Sequence, residues 1–327
     1  MHRLKLLTFK IEKEKRLGAY VDGKIVDLNL AYARYLAEEK SELNALFEAT
    51  KTVPPKMLPF IENGDEAIQA AKKAIEYVSN LGSEESDLKK EGIIKDYSEE
   101  LLDAPIPKPR KNIICLGLNY AEHVAEGAQA RGEEPPPLPE NPIFFTKPTT
   151  SVNGPFDPIV YPKATQMLDY EVEFAFIIGK KGKYIPLNEV YDHVFGYTVF
   201  NDVTARDLQR RHLQWFKGKG LDTFAPMGPW IVTRDELGDP NNLEISLKVN
   251  GEQRQHSNTR HLIFSIPVIV ETLSAGITLE PGDIIATGTP SGVGASMKPP
   301  GLLKVGDLVE AEIEKIGLIR NKVISEK

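Results

Sequence analysis

The stretch Asp169-Tyr170-Glu171-Val172-Glu173-Phe174-Ala175-Phe176-Ile177-Ile178 decides the reading of this chain. A period of two puts Tyr170, Val172, Phe174, Phe176 and Ile178 on one face of a strand and Asp169, Glu171 and Glu173 on the other. At a rise of about 3.3–3.4 Å per residue the Cα atoms of Glu171 and Glu173 lie about 7 Å apart, so their carboxylates can converge on one point. Two such anions at a pocket repel unless a cation lies between them, and oxygen ligands of this kind suit Mg²⁺ or Mn²⁺. The competing reading is a sheet surface with its acids in water, which the spacing by itself favours.

The whole chain narrows the function classes. Its 327 residues are ample for a buried core and suggest two domains. A formal net charge of -7 argues against a nucleic-acid surface, which needs clustered Lys and Arg. Cys115 is the single cysteine, so no intrachain disulfide forms, in keeping with a reducing compartment. No apolar run reaches about 18 residues, and Lys5, Lys10, Glu12 and Lys13 leave no signal-peptide core, so a cytoplasmic protein without a membrane partner is expected.

Residues 1–105 read as a smaller N-terminal α/β domain. Leu4 to Phe9 and Leu17 to Leu28 are expected strands, with Asp22-Gly23 as a hairpin turn. Asn63 and Glu66 have capping-box spacing before a helix whose stripe is Ala67, Ala71, Ala74, Ile75 and Val78. Ser79 to Ser86 and Pro105-Ile106-Pro107-Lys108-Pro109 are expected to interrupt regular structure, the latter at the domain boundary.

Residues 106–327 open with a strand over Asn112 to Leu118. A helix follows, with Asn119 and Glu122 in capping-box spacing and His123 and Glu126 three residues apart on one face. A carboxylate beside an imidazole fixes its tautomer and raises its basicity, although an isolated pair at this spacing is more often a solvated surface pair. Gly127 to Pro142, rich in proline and glutamate, is expected to be a lid. Asp202 stands between a strand and a helix, as an N-cap or a third oxygen ligand, with Arg206 and Gln209 on the same helical side. Lys217 and Lys219 alternate with glycines, and either can be the cation facing an oxyanion. Asn250-Gly251 marks a hairpin, Ser265-Ile266-Pro267 a helix start, and Ile284 to Ala286 a strand running into Thr287-Gly288-Thr289-Pro290, whose N–H groups and hydroxyls can cradle a carboxylate. Hairpins outnumber helical crossovers, so the expected class is a β-rich α+β fold.

In order, G-L-N-Y-A-E-H, D-Y-E-V-E, N-D-V-T-A-R-D-L-Q, D-T-F-A-P-M-G-P-W and T-G-T-P-S-G-V-G make the chain from about Asn112 to Ile324 resemble the fumarylacetoacetate hydrolase family. The resemblance implies a rolled β-sheet domain behind a smaller N-terminal one, assembled as a homodimer. It implies Glu171, Glu173 and Asp202 as Mg²⁺ or Mn²⁺ ligands, Lys219 as the catalytic lysine, and His123 with Glu126 as the dyad of acylpyruvase-type members. Gly220 departs from the pattern, standing where many relatives have serine or threonine.

The implied activity is hydrolysis of the carbon–carbon bond of a 2,4-dioxo acid of the acylpyruvate or fumarylpyruvate type, as in aromatic catabolism. The substrate's carboxylate end would be held by Thr287, Gly288, Thr289 and Arg206, with Tyr120 lining the site. His123, oriented by Glu126, would take a proton from the attacking water, and Lys219 and Gln209 would stabilise the oxyanion. Decarboxylation of oxaloacetate, isomerisation of a hydroxy-diene dioate and dehydration of a 2-oxo-3-deoxy sugar acid pass through the same enolate. A non-catalytic organic-acid binder is a further alternative, weakened by a dyad and a lysine that binding does not need.

Overall fold

The computed structural model describes residues 4–327. Its largest element is a mainly antiparallel sheet of twelve strands. Along it run Ile94–Asp96, Lys24–Asp27, Glu14–Val21, Lys5–Ile11, Ala225–Thr233, Val194–Asn201, Val172–Ile178, Ile284–Ala286, Ile113–Gly117 and Ile143–Lys147, with the two-residue strands Leu102–Asp103 and Val152–Asn153 paired off this path to Lys5–Ile11 and Ala225–Thr233. A second sheet orders Glu252–Asn258, Glu244–Val249, Leu308–Ile313, Gly317–Ser325 and Ile159–Tyr161. Both sheets are open, not closed barrels, and most pairs are antiparallel, so the class is α+β and rich in strand.

Val172–Ile178 is buried along its whole length because both faces of the large sheet are covered. Phe174 and Phe176 join a core with Ile245, Leu247, Val309 and Ile319 of the second sheet, while Ala175 and Ile177 join a core with Phe60, Ala67 and Ala71 of the N-terminal helices. The alternation read from the sequence is real, but the acid-bearing face meets protein and not water. Asp169 also leaves the strand, pairing with Thr204 in a separate two-stranded ladder.

The N-terminal residues share the sheet. Lys5 pairs with Val232 and Leu6 with Ile231, so the expected break near residue 105 does not interrupt the strand order. Asp22 and Gly23 turn the expected hairpin at φ 45° and 80°, and Asn250 and Gly251 turn another at 51° and 81°. The predicted apolar stripe of Gly64–Asn80 is buried, but Asn63 does not cap it; its amide donates to the carbonyls of Lys51 and Thr52. The polar stretch expected to break structure instead completes this helix and forms Gly82–Glu84 and Glu85–Lys90. No helix among the described residues is long and apolar enough to cross a membrane.

One continuous sheet should unfold as one unit. Leu6→Ala is expected to lower the stability of the entire chain by about 2–5 kcal/mol in a single urea transition followed by both circular dichroism and tryptophan fluorescence. An early transition confined to the N-terminal residues would contradict this.

Candidate metal and acid–base site

Strand pairing brings together residues thirty positions apart. Val172 lies opposite Asn201, the Asp202 N–H donates to the Glu171 carbonyl at 2.8 Å, and the Glu171 N–H donates to Asn201 Oδ1 at 3.0 Å. Glu171, Glu173 and Asp202 therefore meet at the end of two neighbouring strands, all buried, with one carboxylate oxygen of each within 4.8 Å of the others. Asp202 is not an N-cap; the next helix starts only at Arg206, after the short strand Thr204–Ala205.

Three cations answer the acids. Lys219 Nζ donates to Glu171 Oε2 at 2.9 Å and to Asp202 Oδ2 at 2.6 Å. Lys147, fully buried, donates to Asp202 Oδ1 and to the Val203 carbonyl at 3.0 Å. Arg206 donates through Nε to Asp169 Oδ2 at 2.8 Å and ion-pairs through Nη2 with Glu171 Oε1 at 2.7 Å. Burial pushes the Glu171 carboxyl up, but Lys219 and Arg206 outweigh it and hold the group at about 2. Glu173 makes no ion pair among the described residues, and the charge of Lys219 favours its ionised form only weakly. Burial, then the charges of Asp202 and Glu171, push it well above the carboxylate range. Its Oε2 accepts from the Gly288 N–H at 2.9 Å, while its Oε1 is buried without a partner.

That orphaned oxygen, in an all-oxygen set of three converging carboxylates, fits a hard divalent cation such as Mg²⁺ or Mn²⁺. Glu171, Glu173 and Asp202 would supply the ligands.

His123 sits on Ala121–Arg131. Its Nδ1 lies 3.2 Å from Glu126 Oε2, so the Nδ1-protonated tautomer donates to the carboxylate and leaves Nε2 to accept a proton. Protonated, His123 would add to the charges of Lys219 and Arg206 that favour the Glu171 carboxylate. The helix runs five residues into the expected lid and ends where Gly132 adopts φ 73°. Asn119 does not cap it. The Asn119 amide instead donates to the carbonyls of Phe264 and Thr287 and accepts from the Phe264 N–H, tying the helix start to the glycine loop.

The glycine loop does cradle carboxylates, and they are the protein's own. The Gly288 N–H serves Glu173, the Gly292 N–H donates to Glu126 Oε1 at 2.8 Å, and the Gly294 and Ala295 N–H groups donate to Asp169 at 2.8 and 3.0 Å. Side chains would spoil this, since a Cβ on Gly292 would meet the Arg254 carbonyl at 1.9 Å and one on Gly294 would meet Asp169 Oδ1 at 2.6 Å. Thr287 and Thr289 donate their hydroxyl protons to the carbonyls of Phe174 and Val172, both at about 2.8–2.9 Å, so they fix the loop to the central strand. Their hydroxyl protons are thereby used within the protein. Arg206, expected at the substrate carboxylate, is likewise committed to Asp169 and Glu171.

Of the two lysines left open, Lys217 is exposed and Lys219 is buried in the cluster. Gly218 makes this possible: a Cβ there would meet the Gln209 N at 2.5 Å, so only glycine lets Phe216–Lys219 pack on the helix of Gln209. Gly220 is similarly confined, 2.7 Å from Pro148 at its would-be Cβ. Half-buried Gln209 accepts from Arg206 Nη1 at 3.2 Å, leaving its amide N–H groups as donors. Tyr120 is buried with its hydroxyl unpartnered. Lys147 is the residue that sequence reasoning missed; it stands in a Phe-Phe-Thr-Lys-Pro strand end with no acidic neighbour to mark it.

A fold of this class with a buried acidic triad beside a His–Glu pair has known relatives. Residues 112–324 match the family model "Fumarylacetoacetate (FAA) hydrolase C-terminal". The chain belongs to the fumarylacetoacetate hydrolase family. It is 42% identical to oxaloacetate tautomerase YisK of Bacillus subtilis (strain 168), over 98% of this chain and 100% of that protein. Among solved structures it is similar to fumarylacetoacetate hydrolase from psychrophilic Exiguobacterium antarcticum, with a TM-score of 0.74, 35% identity and coverage of 99% and 100% of the two chains. It is also similar to 5-carboxymethyl-2-hydroxymuconate delta-isomerase from Mycobacterium smegmatis, with a TM-score of 0.60, 40% identity and coverage of 72% and 82%. Hydrolysis, the reaction expected from the resemblance, is thus one of three reactions named among these relatives.

Glu173→Gln removes the uncompensated charge and a ligand together. In chelator its thermal midpoint is expected to match or exceed that of the wild type, while the stabilisation by Mn²⁺, about 2.7 kcal/mol at a hundred times the dissociation constant, is expected to vanish. A variant that keeps the full Mn²⁺ shift would remove Glu173 from the ligand set.

Proposed function

We propose that the protein is an enzyme that interconverts the enol and keto forms of a short 2-oxo dicarboxylate of the oxaloacetate type. The observation that carries this reading is the His123–Glu126 pair beside a carboxylate cluster suited to one divalent cation, in a chain similar along its whole length to a tautomerase.

Tautomerisation moves a proton between C3 and the 2-oxo oxygen and needs no water nucleophile. In the keto-to-enol direction His123 Nε2 takes the C3 proton, the C–H electron pair becomes the C2–C3 π bond, the 2-oxo oxygen gains the negative charge, and the imidazolium then returns its Nε2 proton to that oxygen, directly or through a water, which regenerates neutral His123. Glu126 holds the imidazole in the required tautomer and stabilises the imidazolium. A divalent cation held by Glu171, Glu173 and Asp202 supplies, when bound, positive charge that offsets the charge developing on that oxygen. The Lys219 ammonium places a second positive charge at the same point, and the Gln209 amide supplies a neutral donor.

A second reading, hydrolysis of a 2,4-dioxo acid, is favoured by the exposure of most of residues 132–140 directly after the helix of His123, which leaves access for water and an acyl group. There His123 would deprotonate water in place of C3.

The two separate by product. Enol oxaloacetate followed by its ultraviolet absorbance is expected to equilibrate faster with wild type and Mg²⁺ or Mn²⁺, and not with chelator. His123→Ala is expected to lower kcat/KM by about a hundredfold or more. Unchanged equilibration together with pyruvate release from an acylpyruvate would replace tautomerisation by hydrolysis.

A further inference from the structure

A cavity of about 420 Å³ shares no lining residue with the carboxylate cluster. It lies among the N-terminal residues and the proline run that precedes Ile113–Gly117. Five cations line it, Lys13, Lys15, Arg16, Lys56 and Lys108, against one acid, Glu14. In a chain of net charge -7 this is a local reversal of sign.

Two of the five are already neutralised within the protein. Lys15 pairs with Asp103 at 2.6 Å, and Arg16 pairs with Asp27 at 2.5 Å. Lys13, Lys56 and Lys108 are exposed, and no carboxylate pairs with them among the described residues. Three ammonium groups around one cavity repel one another and favour an anion that carries several charges. Between them the wall is mainly apolar, with partly exposed Leu58, Pro59 and Pro107 over buried Met57 and Ile106, and its one hydroxyl, Thr8, donates to the Pro105 carbonyl. The volume falls in the range of about 300–1,000 Å³ that holds a small organic ligand.

We infer that this cavity binds a nucleoside polyphosphate, its phosphates on Lys13, Lys56 and Lys108 and its base against the Met57–Leu58 wall. Lysine serves phosphate as a mobile point charge, and a flat base suits an apolar wall with no polar group to satisfy. A bare inorganic anion would leave that wall unused. A fatty acid would leave two of the three ammonium groups unanswered.

Calorimetric titration of the full chain with ATP in chelator, which keeps metal out of the carboxylate cluster, tests the site independently of any turnover. ATP is expected to bind, more weakly as salt rises, with inorganic tripolyphosphate and adenosine each binding less tightly than ATP. The combined variant Lys13→Gln, Lys56→Gln and Lys108→Gln is expected to lose at least about tenfold in affinity for ATP while keeping wild-type oxaloacetate turnover. Lys108→Glu alone, a surface charge reversal, is expected to weaken ATP in the same direction and supplies the test if the combined variant does not fold. Absence of ATP binding, equal affinity in the variants, or tripolyphosphate binding as tightly as ATP would overturn the assignment.

Discussion

Repulsion between buried carboxylates is the constraint around which this molecule is arranged. Asp169, Glu171, Glu173 and Asp202 are all buried within one region, and at about 5 Å in a medium of effective dielectric near 20 each like-charged pair costs on the order of 3 kcal/mol. Three cations meet these four anions: Arg206 takes Asp169 and Glu171, Lys219 takes Glu171 and Asp202, and Lys147 takes Asp202. One negative charge is left over. It falls on Glu173, whose carboxyl is pushed toward its neutral form and whose outer oxygen has no partner. A divalent ion there would turn an excess of one negative charge into an excess of one positive charge, which suits an anionic ligand.

The rest of the fold holds that charge balance in place. Main-chain donors of a single loop fix Glu173, Glu126 and Asp169, so one element sets a cluster carboxylate, the partner of the imidazole and the partner of Arg206. Threonine hydroxyls and the Gln255 amide lock the same loop to the central strand, the latter donating to Thr289 Oγ1 at 2.8 Å while its carbonyl accepts from the Val172 N–H. Groups that looked like ligand contacts are in this way the supports of other groups.

Much of this was legible in the sequence. Local spacing left Glu171, Glu173, Asp202, His123, Glu126 and Lys219 open between solvated and site readings, and it was the order of their motifs, through the family resemblance, that singled them out; the structure brings all six into one region. Charge compensation was not legible, because it is made by residues distant in the chain. Lys147 reaches Asp202 from 55 positions away, and Asn119 spans 168 positions to the Thr287 carbonyl where a local cap had been expected. Burial also escaped local reading. The alternation of Val172–Ile178 suits a half-exposed strand, and only the helices on one face and the second sheet on the other make it fully buried. Ligand choice is a matter of loops, whose sequence carries little periodic signal.

The pairing of Lys5 with Val232 sets an order of events during synthesis. Lys5–Ile11 meets its neighbour Glu14–Val21 at once, but its other neighbour, Ala225–Thr233, is made roughly two hundred residues later, a wait on the order of 10–45 s at about 5–20 residues per second. Until then the hairpins that follow it present an open, apolar edge. Long-range pairings of this kind slow folding and expose chains to aggregation. Exposed Glu12, Lys13, Glu14 and Lys15 at the tip of the first hairpin are charges of the sort that discourage a neighbouring nascent chain from adding itself to that edge.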